Sequence, residues 1–354
     1  QKPYAETEKE KKPNIVIIMA DDLGWNDVGY HGSEIKTPNL DRLAKDGREL
    51  TRFYVNSVCS PTRASLMTGQ SAIRLGITSP MQKIAPKGLP LELNTLPDYL
   101  RQLDYQTALV GKWHLGVKRP YHPNRRGFET FYGNLSGAVG YWDHVHAGHY
   151  DWQRNGKTLR EDGYVTHLQA SEALRVVRGR DKARPLFMFL SLLAPHLPNE
   201  APPQAIDAYA DITDERRRVH AAMVSELDAA VGQLLAVLDE EGMADNTLIW
   251  FLSDNGGLTQ YRGMPGPIYS IVDAAKWLWG DDIPVRFIEF MRANMEDGGS
   301  DNTPLTGAKG SVKEGGIRVP SVIRWPAGLA AGKFETRLSV LDMLPTLLDA
   351  AGGT

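Results

Sequence analysis

The feature that most constrains this chain is the run NIVIIMA, Asn14–Ala20, which stops abruptly at two aspartates. A short, continuously apolar run is typical of a strand that is buried on both faces of a parallel sheet. Further buried strands are predicted at Gln106–Gly111, Pro185–Leu193, Asn246–Ser253 and Val319–Pro326. A sheet made of such strands needs helices to cover both of its faces.

Helical segments lie between and after these strands. NTLPDYLRQLDY precedes the strand at Gln106–Gly111, a long helix with one apolar stripe is predicted over Asp214–Glu241, and LSVLDMLPTLLDAAG is predicted as a closing helix. This alternation predicts the α/β class, with a mostly parallel central sheet flanked by helices on both faces. The sequence shows no internal repeat, so we expect a polar leader over residues 1–12 and one catalytic domain over 13–354.

Composition excludes several classes of function. A formal net charge of −3 and a pI near 6.3 predict no nucleic-acid binding. No run approaches the ~18 apolar residues that a membrane span needs, and the polar start lacks a signal peptide. We expect an exported protein, periplasmic or secreted, whose signal has already been removed. A single cysteine argues against a disulfide-stapled extracellular fold.

Polar side chains follow each of the first four predicted strands. In open α/β sheets, ligands bind beyond the carboxyl ends of the strands, so these groups can converge. Singly, each has an ordinary explanation as a turn, a helix cap or a structural histidine. Their coincidence at four strand ends favours a functional site, formed by Asp21, Asp22, Lys112, His114, His196, Asp254 and Asn255.

Four of these residues form a hard, oxygen-only ligand set. Carboxylates from Asp21, Asp22 and Asp254 together with the Asn255 carbonyl suit Ca²⁺ or Mg²⁺ and not a soft metal. Like charges in one site strongly disfavour joint ionisation, so a cation is expected between them.

The only cysteine of the chain, Cys59, lies in the stretch VCSPTRASLMTG. It excludes a disulfide within the chain, and a buried inert thiol is the alternative to a functional one. Ser60 can cap a helix, Pro61 suits its first position and Gly69 can end it, which sets Cys59 just outside a helix N-terminus. Such a terminus favours an anion, and Arg63 adds a forked donor one turn further on. The pattern therefore indicates a nucleophile beside an anion pocket.

The segment Cys59-Ser-Pro61-Thr-Arg63, continuing to Thr68-Gly69, resembles the signature of the type I sulfatases of the alkaline phosphatase superfamily. Thr62 stands where serine is commoner. In that family a maturation enzyme oxidises the cysteine to formylglycine. A later stretch, Arg125–Trp152, opens like the corresponding segment of arylsulfatase B-like members. The resemblance implies that Cys59 is the precursor of the nucleophile.

The resemblance also implies the roles of the other residues. The four oxygen ligands and the Cys59 position would hold the metal, usually calcium. In GAKGSVKEGGIRVP the sulfate-binding lysine falls on Lys309, with Lys313 as the nearby competitor. Arg63, Lys112 and Lys309 would stabilise developing charge, His196 would protonate the leaving alcohol and His114 would take the proton that expels sulfate.

The predicted activity is hydrolysis of a sulfate ester, on a sulfated small molecule or oligosaccharide. The alternatives are a phosphonate or phosphodiester hydrolase of the same superfamily, and a catalytically silent member that binds sulfated glycans. Tyr141, Trp142 and His144 are candidate substrate contacts, against the alternative of an aromatic-rich surface loop.

Two departures from the family pattern are expected. An apolar insert at 258–306 joins two site motifs, so it is expected to cover the pocket. The smaller C-terminal subdomain usual in the family is expected to be missing after the closing helix, either lost or not included in this sequence, and part of the substrate wall with it.

Overall fold

The structure is a computed structural model that describes residues 12–81, 85, 87–259 and 298–353. Across these residues the chain forms a large mixed sheet with helices on both faces, which confirms the predicted α/β class. The strands are β1 Asn14–Ala20, β2 Arg48–Leu50, β3 Phe53–Tyr54, β4 Gln106–Gly111, β5 Thr130–Gly133, β6 Val145–His146, β7 His149–Tyr150, β8 Gln153–Arg154, β9 Lys157–Thr158, β10 Leu186–Ser191, β11 Thr247–Ser253, β12 Ser321–Arg324, β13 Gly332–Phe334 and β14 Leu338–Ser339.

The helices vary from one turn to seven turns in length. They are α1 Pro38–Asp46, α2 Cys59–Thr68, α3 Leu96–Gln102, α4 Val165–Arg178, α5 Pro203–Asp207, α6 Glu215–Glu240, α7 Glu314–Ile317 and α8 Met343–Ala350.

The central sheet has the strand order β13-β2-β12-β11-β1-β10-β4-β5-β8-β9. Strands β11, β1, β10, β4 and β5 run parallel to one another. On one side β12 and β2 add antiparallel pairs, and on the other β8 and β9 do the same. The prediction of a mostly parallel sheet therefore holds for its centre, while the outer strands make it mixed.

Burial on both faces explains why β1 is continuously apolar. Val16 and Ile18 pack into a core cluster with residues of α1, α4 and α6. Ile15 and Ile17 point the other way, into a second cluster with residues of α2, α3 and α8. Because side chains alternate along a strand, only a continuous apolar run fills both clusters.

Helix α6 is long and apolar enough, by length and composition alone, to cross a membrane. However, 67% of its apolar window is buried inside the protein. Its stripe of Met223, Leu227, Val231 and Leu234 belongs to the core cluster that covers β1. The helix therefore has the packing of a core helix in a globular domain.

The predicted closing helix begins later than its sequence pattern suggested. Leu338 and Ser339 form β14 and pair with β3 instead of starting a helix. The Asp342 carboxylate accepts from the Ser339 backbone N–H at 2.7 Å, and a short 3₁₀ turn follows before α8. This capping arrangement fixes the start of the helical segment after the strand.

Candidate active site

The carboxyl ends of four adjacent strands, β11, β1, β10 and β4, lie at one edge of the sheet, where backbone hydrogen bonds join the segments that leave them. The N–H of Asp21 donates to Ala194 O at 3.1 Å, and the N–H of Asp254 donates to Ala20 O at 3.1 Å. The N–H of Lys112 donates to Ser191 O at 2.9 Å. The polar residues after these strands are thereby brought together.

Three buried carboxylates meet three cationic side chains at this edge. Lys112 Nζ contacts Asp21 Oδ2, and Lys309 Nζ lies 2.7 Å from Asp22 Oδ2. Asp254 Oδ2 accepts from Arg63, as detailed below. Neighbouring charges of opposite sign offset the cost of burying each group.

Arg63 uses its guanidinium to join four segments. Its Nε and Nη2 lie 3.1 and 2.9 Å from Asp254 Oδ2, and Nη2 also lies 3.5 Å from Asp21 Oδ2. Nη1 donates to Lys112 O at 3.1 Å and to Ser191 Oγ at 2.6 Å. The donors of this side chain are therefore engaged by the protein, which makes Arg63 a positioning residue in this structure.

Asp22 has partners on both of its carboxylate oxygens. Asn255 Nδ2 donates to its Oδ1 at 2.7 Å, and His196 Nε2 lies 3.7 Å from its Oδ2. Burial acts to raise the pKa of Asp22, but the charges of Lys309, His196 and Lys112 outweigh it and hold this pKa well below its ordinary value. Asp22 is therefore ionised at neutral pH.

Asp254 behaves in the opposite way. Burial and the neighbouring charge of Asp21 raise the pKa of Asp254 to about 6, although Arg63 and Lys112 act to lower it. Crowded carboxylates whose joint ionisation is disfavoured are the condition that a bound cation relieves.

Two buried oxygen atoms test whether these residues fit a hard cation. Asp21 Oδ1 and Asn255 Oδ1 have no hydrogen-bond partner within the described part of the chain. Buried acceptors are ordinarily satisfied, so such atoms call for an explanation. Ligand atoms of Asp21, Asp22 and His196 also lie within 4.8 Å of one another. The oxygen donors fit Ca²⁺ or Mg²⁺.

Cys59 is the first residue of α2, not a residue outside it as the sequence predicted. The N-cap is Val58, and Pro61 falls within the first turn, where its missing N–H is no loss. Ser60 Oγ does not cap the helix but donates to His114 O at 3.0 Å. Gly69 ends the helix in the left-handed conformation, as predicted.

The Cys59 thiol is buried against the charged groups of the site. Burial raises its pKa, and the charges of Lys112 and Lys309 only partly offset that effect. The unmodified side chain is therefore a neutral thiol at neutral pH, which is a poor nucleophile.

Hydrogen bonds to backbone carbonyls assign the tautomers of both histidines. His114 Nε2 lies 3.0 Å from Met81 O and must donate, which leaves its buried Nδ1 as an acceptor without a partner among the described residues. His196 Nδ1 donates to Leu197 O at 2.7 Å, so its Nε2 is the acceptor. Burial lowers both pKa values, with contributions from Lys112 at His114 and from Lys309 at His196, whose pKa is about 3.

The lysine alternatives differ clearly in position. Lys309 reaches Asp22, and its backbone N–H donates to Gly257 O at 3.1 Å. The next residue, Gly310, donates to Ser57 O at 2.7 Å, two residues before Cys59. Lys313 is exposed at the N-cap of α7. The structure thus brings Lys309, and not Lys313, to the carboxylates.

The three candidate substrate contacts lie in different environments. Tyr141 is buried and donates to His196 O at 2.9 Å. His144 is buried, with Nε2 3.1 Å from Gly163 O and its ring stacked on Trp152. Trp142 is 48% exposed. Of the three, only Trp142 has a surface open to a ligand.

The two ends of the insert pair with each other beside the site. Gly298 N–H donates to Thr259 O at 3.0 Å, and Ser300 N–H donates to Leu258 O at 3.2 Å. The Asn302 amide bridges the backbone N–H and C=O of Gly257, each at 2.9 Å. Residues 260–297, for which a pocket cover was predicted, lie outside the described residues, as do residues 1–11 of the leader.

Sequence reasoning missed several polar residues that hold the site together. Ser191 accepts from Arg63, Ser253 Oγ accepts from Leu23 N–H at 3.0 Å, and Ser300 Oγ donates to Asp22 O at 3.1 Å. Lone serines carry no spacing signal, so no motif could have indicated them.

Asp27 was also missed. The sequence offered only a weak indication of its role, because it is a third acidic residue shortly after β1.

Comparison with known proteins gives a consistent result. The sequence model of the family described as Sulfatase matches residues 13–353. Arylsulfatase J of Mus musculus is 33% identical over 364 residues, covering 100% of this chain and 55% of its own length. N-acetylgalactosamine-6-sulfatase of Rattus norvegicus is 32% identical over 364 residues, covering 96% and 62%. The chain thus spans less than two thirds of the length of either curated relative.

A solved structure is similar in both fold and sequence. The crystal structure of Ps i-CgsB in complex with k-i-k-neocarrahexaose superposes with a TM-score of 0.83 at 33% identity. The match covers 97% of this chain and 73% of that one.

Proposed function

Since this chain belongs to the sulfatase family, we propose that it hydrolyses sulfate esters of a carbohydrate at the edge of the sheet described above. The relatives named arylsulfatase and N-acetylgalactosamine-6-sulfatase support this activity. The observation that carries the proposal is the meeting of Cys59, Lys112 and Lys309 with an oxygen-rich ligand set at one buried edge.

Asp21, Asp22, Asp254 and Asn255 would hold the cation, with Ca²⁺ as the proposed ion and Mg²⁺ as the alternative. Asp21 Oδ1 and Asn255 Oδ1, which have no hydrogen-bond partner among the described residues, support this assignment. A bound cation would supply Lewis-acid charge for an attacking oxygen and for a sulfuryl oxygen.

Cys59 is proposed to be oxidised to formylglycine by a maturation enzyme. Its hydrated aldehyde would supply a hydroxyl that attacks sulfur, a chemistry unavailable to the buried neutral thiol. Cys59 is the first residue of α2, and the N-terminus of a helix carries N–H groups without intrahelical partners. These donors favour an anionic group at this place.

Lys112 and Lys309 are proposed to bind the sulfuryl oxygens. Each ammonium has three donors, and each uses one on a carboxylate, Asp21 or Asp22. The remaining donors can reach a ligand without breaking these pairs. Charge fixed in this way needs no reorganisation during the reaction, which is the basis of electrostatic catalysis.

His114 is proposed as the base. Because Nε2 donates to Met81 O, the lone pair of Nδ1 is free to take a proton. Burial and the charge of Lys112 keep the pKa of His114 well below its ordinary value, so the ring is neutral at neutral pH. General base catalysis by a positioned side chain contributes ~10²–10⁴-fold to the rate.

His196 is proposed as the acid that protonates the leaving alcohol. Burial and the charge of Lys309 lower the pKa of His196 to about 3, so a bound anion is needed to raise it. The negative charge of a sulfate ester next to Lys309 has that effect, because it offsets the field of the ammonium. Bound substrate would thereby favour the protonated, acidic form of His196.

The proposed substrate is a sulfated oligosaccharide or polysaccharide. The similar structure Ps i-CgsB contains bound k-i-k-neocarrahexaose, and the half-exposed Trp142 offers an apolar face to a sugar ring. Export to the periplasm or the medium is part of the proposal, because polymeric glycans are met outside the cytoplasm.

The decisive experiment measures sulfate release from a panel of sulfated mono- and oligosaccharides by protein co-expressed with a maturation enzyme. Intact-protein mass should show a loss of about 18 Da at Cys59, the difference between the thiol and the aldehyde side chain. Release of sulfate by the matured protein only is expected. Hydrolysis of phosphonate or phosphodiester controls with no sulfate release would contradict the proposal.

A further inference from the structure

Asp22 has a backbone conformation that is rare outside glycine. Its φ of 68° lies in the left-handed region, which L side chains adopt only where the surroundings hold them. The N–H of Asp22 donates to Asp254 Oδ1 at 3.3 Å, and the next N–H, of Leu23, donates to Ser253 Oγ. On the other side, Ser300 Oγ donates to the Asp22 carbonyl at 3.1 Å.

Ser300 is itself the end of a buried chain of hydrogen bonds. His220 Nε2 on α6 lies 3.3 Å from Ser300 Oγ and 2.9 Å from Asp27 Oδ2. Asp27 Oδ2 also accepts from Gly24 N–H at 2.9 Å, and Arg217 contacts Asp27 Oδ1. The Nε2–H of His220 can therefore donate to both Asp27 and Ser300, while the Ser300 hydroxyl donates to Asp22 O.

The backbone segments that carry Asp22, Asp27, His220 and Ser300 are closely packed against one another. A Cβ added at Gly24 would lie 2.4 Å from Asp301 O, and one at Gly257 would lie 2.4 Å from Ser300 Cβ. A Cβ at Gly299 would lie 2.6 Å from His220 Cβ. Gly24, Gly257 and Gly299 thus allow segment 299–301 to pack directly against the loop after β1, the loop after β11 and helix α6.

We propose that Asp27, His220 and Ser300 form a positioning chain, which holds the left-handed backbone of Asp22 and thereby sets the affinity of the site for its cation. The inference rests on the proposed function, since Asp22 is there a cation ligand. None of the three side chains needs to touch the cation or the substrate. Their effect reaches the site through the Asp22 carbonyl and the Gly24 N–H, one on each side of Leu23.

The test uses the full chain stripped of metal with a chelator and titrated with Ca²⁺ by calorimetry. Ser300→Ala should weaken Ca²⁺ binding about tenfold, the lower range for loss of an outer-shell partner. His220→Phe, which removes the link to both Ser300 and Asp27, should weaken it at least as much. The matched control is Ser225→Ala on α6, whose hydroxyl donates to Lys36 O at 3.2 Å, contacts the Tyr209 hydroxyl and makes no hydrogen bond to Asp22 among the described residues.

The outcomes separate this inference from the proposed function. Weaker Ca²⁺ binding by both variants, with wild-type affinity in Ser225→Ala, supports the positioning chain. Unchanged Ca²⁺ affinity in Ser300→Ala and His220→Phe, with only a lower melting temperature, overturns it and leaves the proposed function intact. A wild-type protein that binds neither Ca²⁺ nor Mg²⁺ contradicts both.

Discussion

Arg63 and Asp254 form a fully buried ion pair in which two nitrogens of one guanidinium, Nε and Nη2, donate to the same carboxylate oxygen at 3.1 and 2.9 Å. Arg63 lies on α2, four residues after the proposed nucleophile Cys59, while Asp254 directly follows β11. The pair therefore ties the helix that carries Cys59 to the strand end that carries two proposed cation ligands. Arg63 therefore contributes both to the stability of the fold and to the arrangement of the site.

Replacing Arg63 with alanine should lower the free energy of unfolding by about 3–5 kcal/mol, because it leaves the buried Asp254 carboxylate without its ion-pair partner. Urea denaturation measures the change. Arg178→Ala is the matched control, since its pair with Glu240 is exposed on both sides and should contribute no more than about 1 kcal/mol. A loss at Arg63 as small as that of the control would contradict this account.

Replacing Cys59 with alanine should abolish sulfate release while the chain still folds. The thiol is buried but has no hydrogen-bond partner that its removal would leave unsatisfied in the described structure. A change in the free energy of unfolding of about 1 kcal/mol is expected for so small a truncation. Hydrolysis of a small aryl sulfate and a thermal melt measure the two effects, and wild-type turnover by the alanine variant would make Cys59 a purely structural residue.

The centre of the fold was readable because its strands are buried on both faces. β1 and β4 have the predicted bounds, Asn14–Ala20 and Gln106–Gly111, since a two-sided strand leaves an unbroken apolar run in the sequence. The outer strands β8 and β9 are two residues each and carry no such run. Their pairing is set by tertiary contacts, which a local pattern does not record.

Site residues that directly follow strands could be predicted from the sequence. Residues that act through single hydrogen bonds could not. Asp21 and Lys112 could be placed because parallel strand ends share one edge of the sheet. The start of α2 was misplaced because Ser60 looked like a cap, yet its hydroxyl is engaged by His114 O across the site. Ser300 lies 278 residues from Asp22, and nothing local in the sequence indicates that contact.

Removing divalent metal should lower the melting temperature, and adding Ca²⁺ should restore it in a concentration-dependent way. A ligand at 100 times its dissociation constant stabilises the folded state by about 2.7 kcal/mol. Asn255→Ala removes an unpartnered oxygen proposed as a ligand and should reduce the Ca²⁺ response. Thermal melts with chelator and with added Ca²⁺ measure the change in melting temperature. Identical melting temperatures of the wild type under the two conditions would count against the cation site.

The stability contributed by Asp27 should disappear in acid. Burial acts to raise its pKa, but His220 and Arg217 hold the pKa well below the ordinary value. In the unfolded chain Asp27 protonates near pH 3.9, so the unfolded state binds more protons as the pH falls through this value. The advantage of wild type over Asp27→Asn should be constant above about pH 5, at ~3 kcal/mol, and shrink steadily below about pH 4.

Asp228 on α6 provides a control of opposite sign. Burial raises its pKa, although Leu40 and Asn39 donate to it. The folded state then binds the proton at a higher pH than the unfolded state does, so the stability difference between wild type and Asp228→Asn should fall as the pH rises through the folded pKa. Urea denaturation from pH 3 to pH 7 should give slopes of opposite sign for the two variants, and slopes of one sign would refute the assignment.

Trp142 should contribute to recognition of a glycan and little to the chemistry. Its indole is 48% exposed and its ring centroid lies 5.1 Å from that of Tyr164. The preceding residue, Tyr141, donates to the backbone of the proposed acid, His196, so Trp142 is one residue away from a direct contact with the site. A stacked sugar ring would gain about 1.4 kcal/mol, or roughly tenfold in binding.

Trp142→Ala should therefore reduce kcat/KM on a sulfated oligosaccharide about tenfold, and on a small aryl sulfate less than about twofold, because only the larger substrate reaches the indole. Trp142→Phe should restore much of the loss, since it keeps an aromatic face. The control is Ile73→Ala, another exposed apolar side chain at 77% exposure, which should leave both rates unchanged. Equal losses on the two substrates in Trp142→Ala would mean that the indole supports Tyr141 and His196 instead of binding the glycan, because a residue that only recognises the sugar cannot slow a substrate that lacks one.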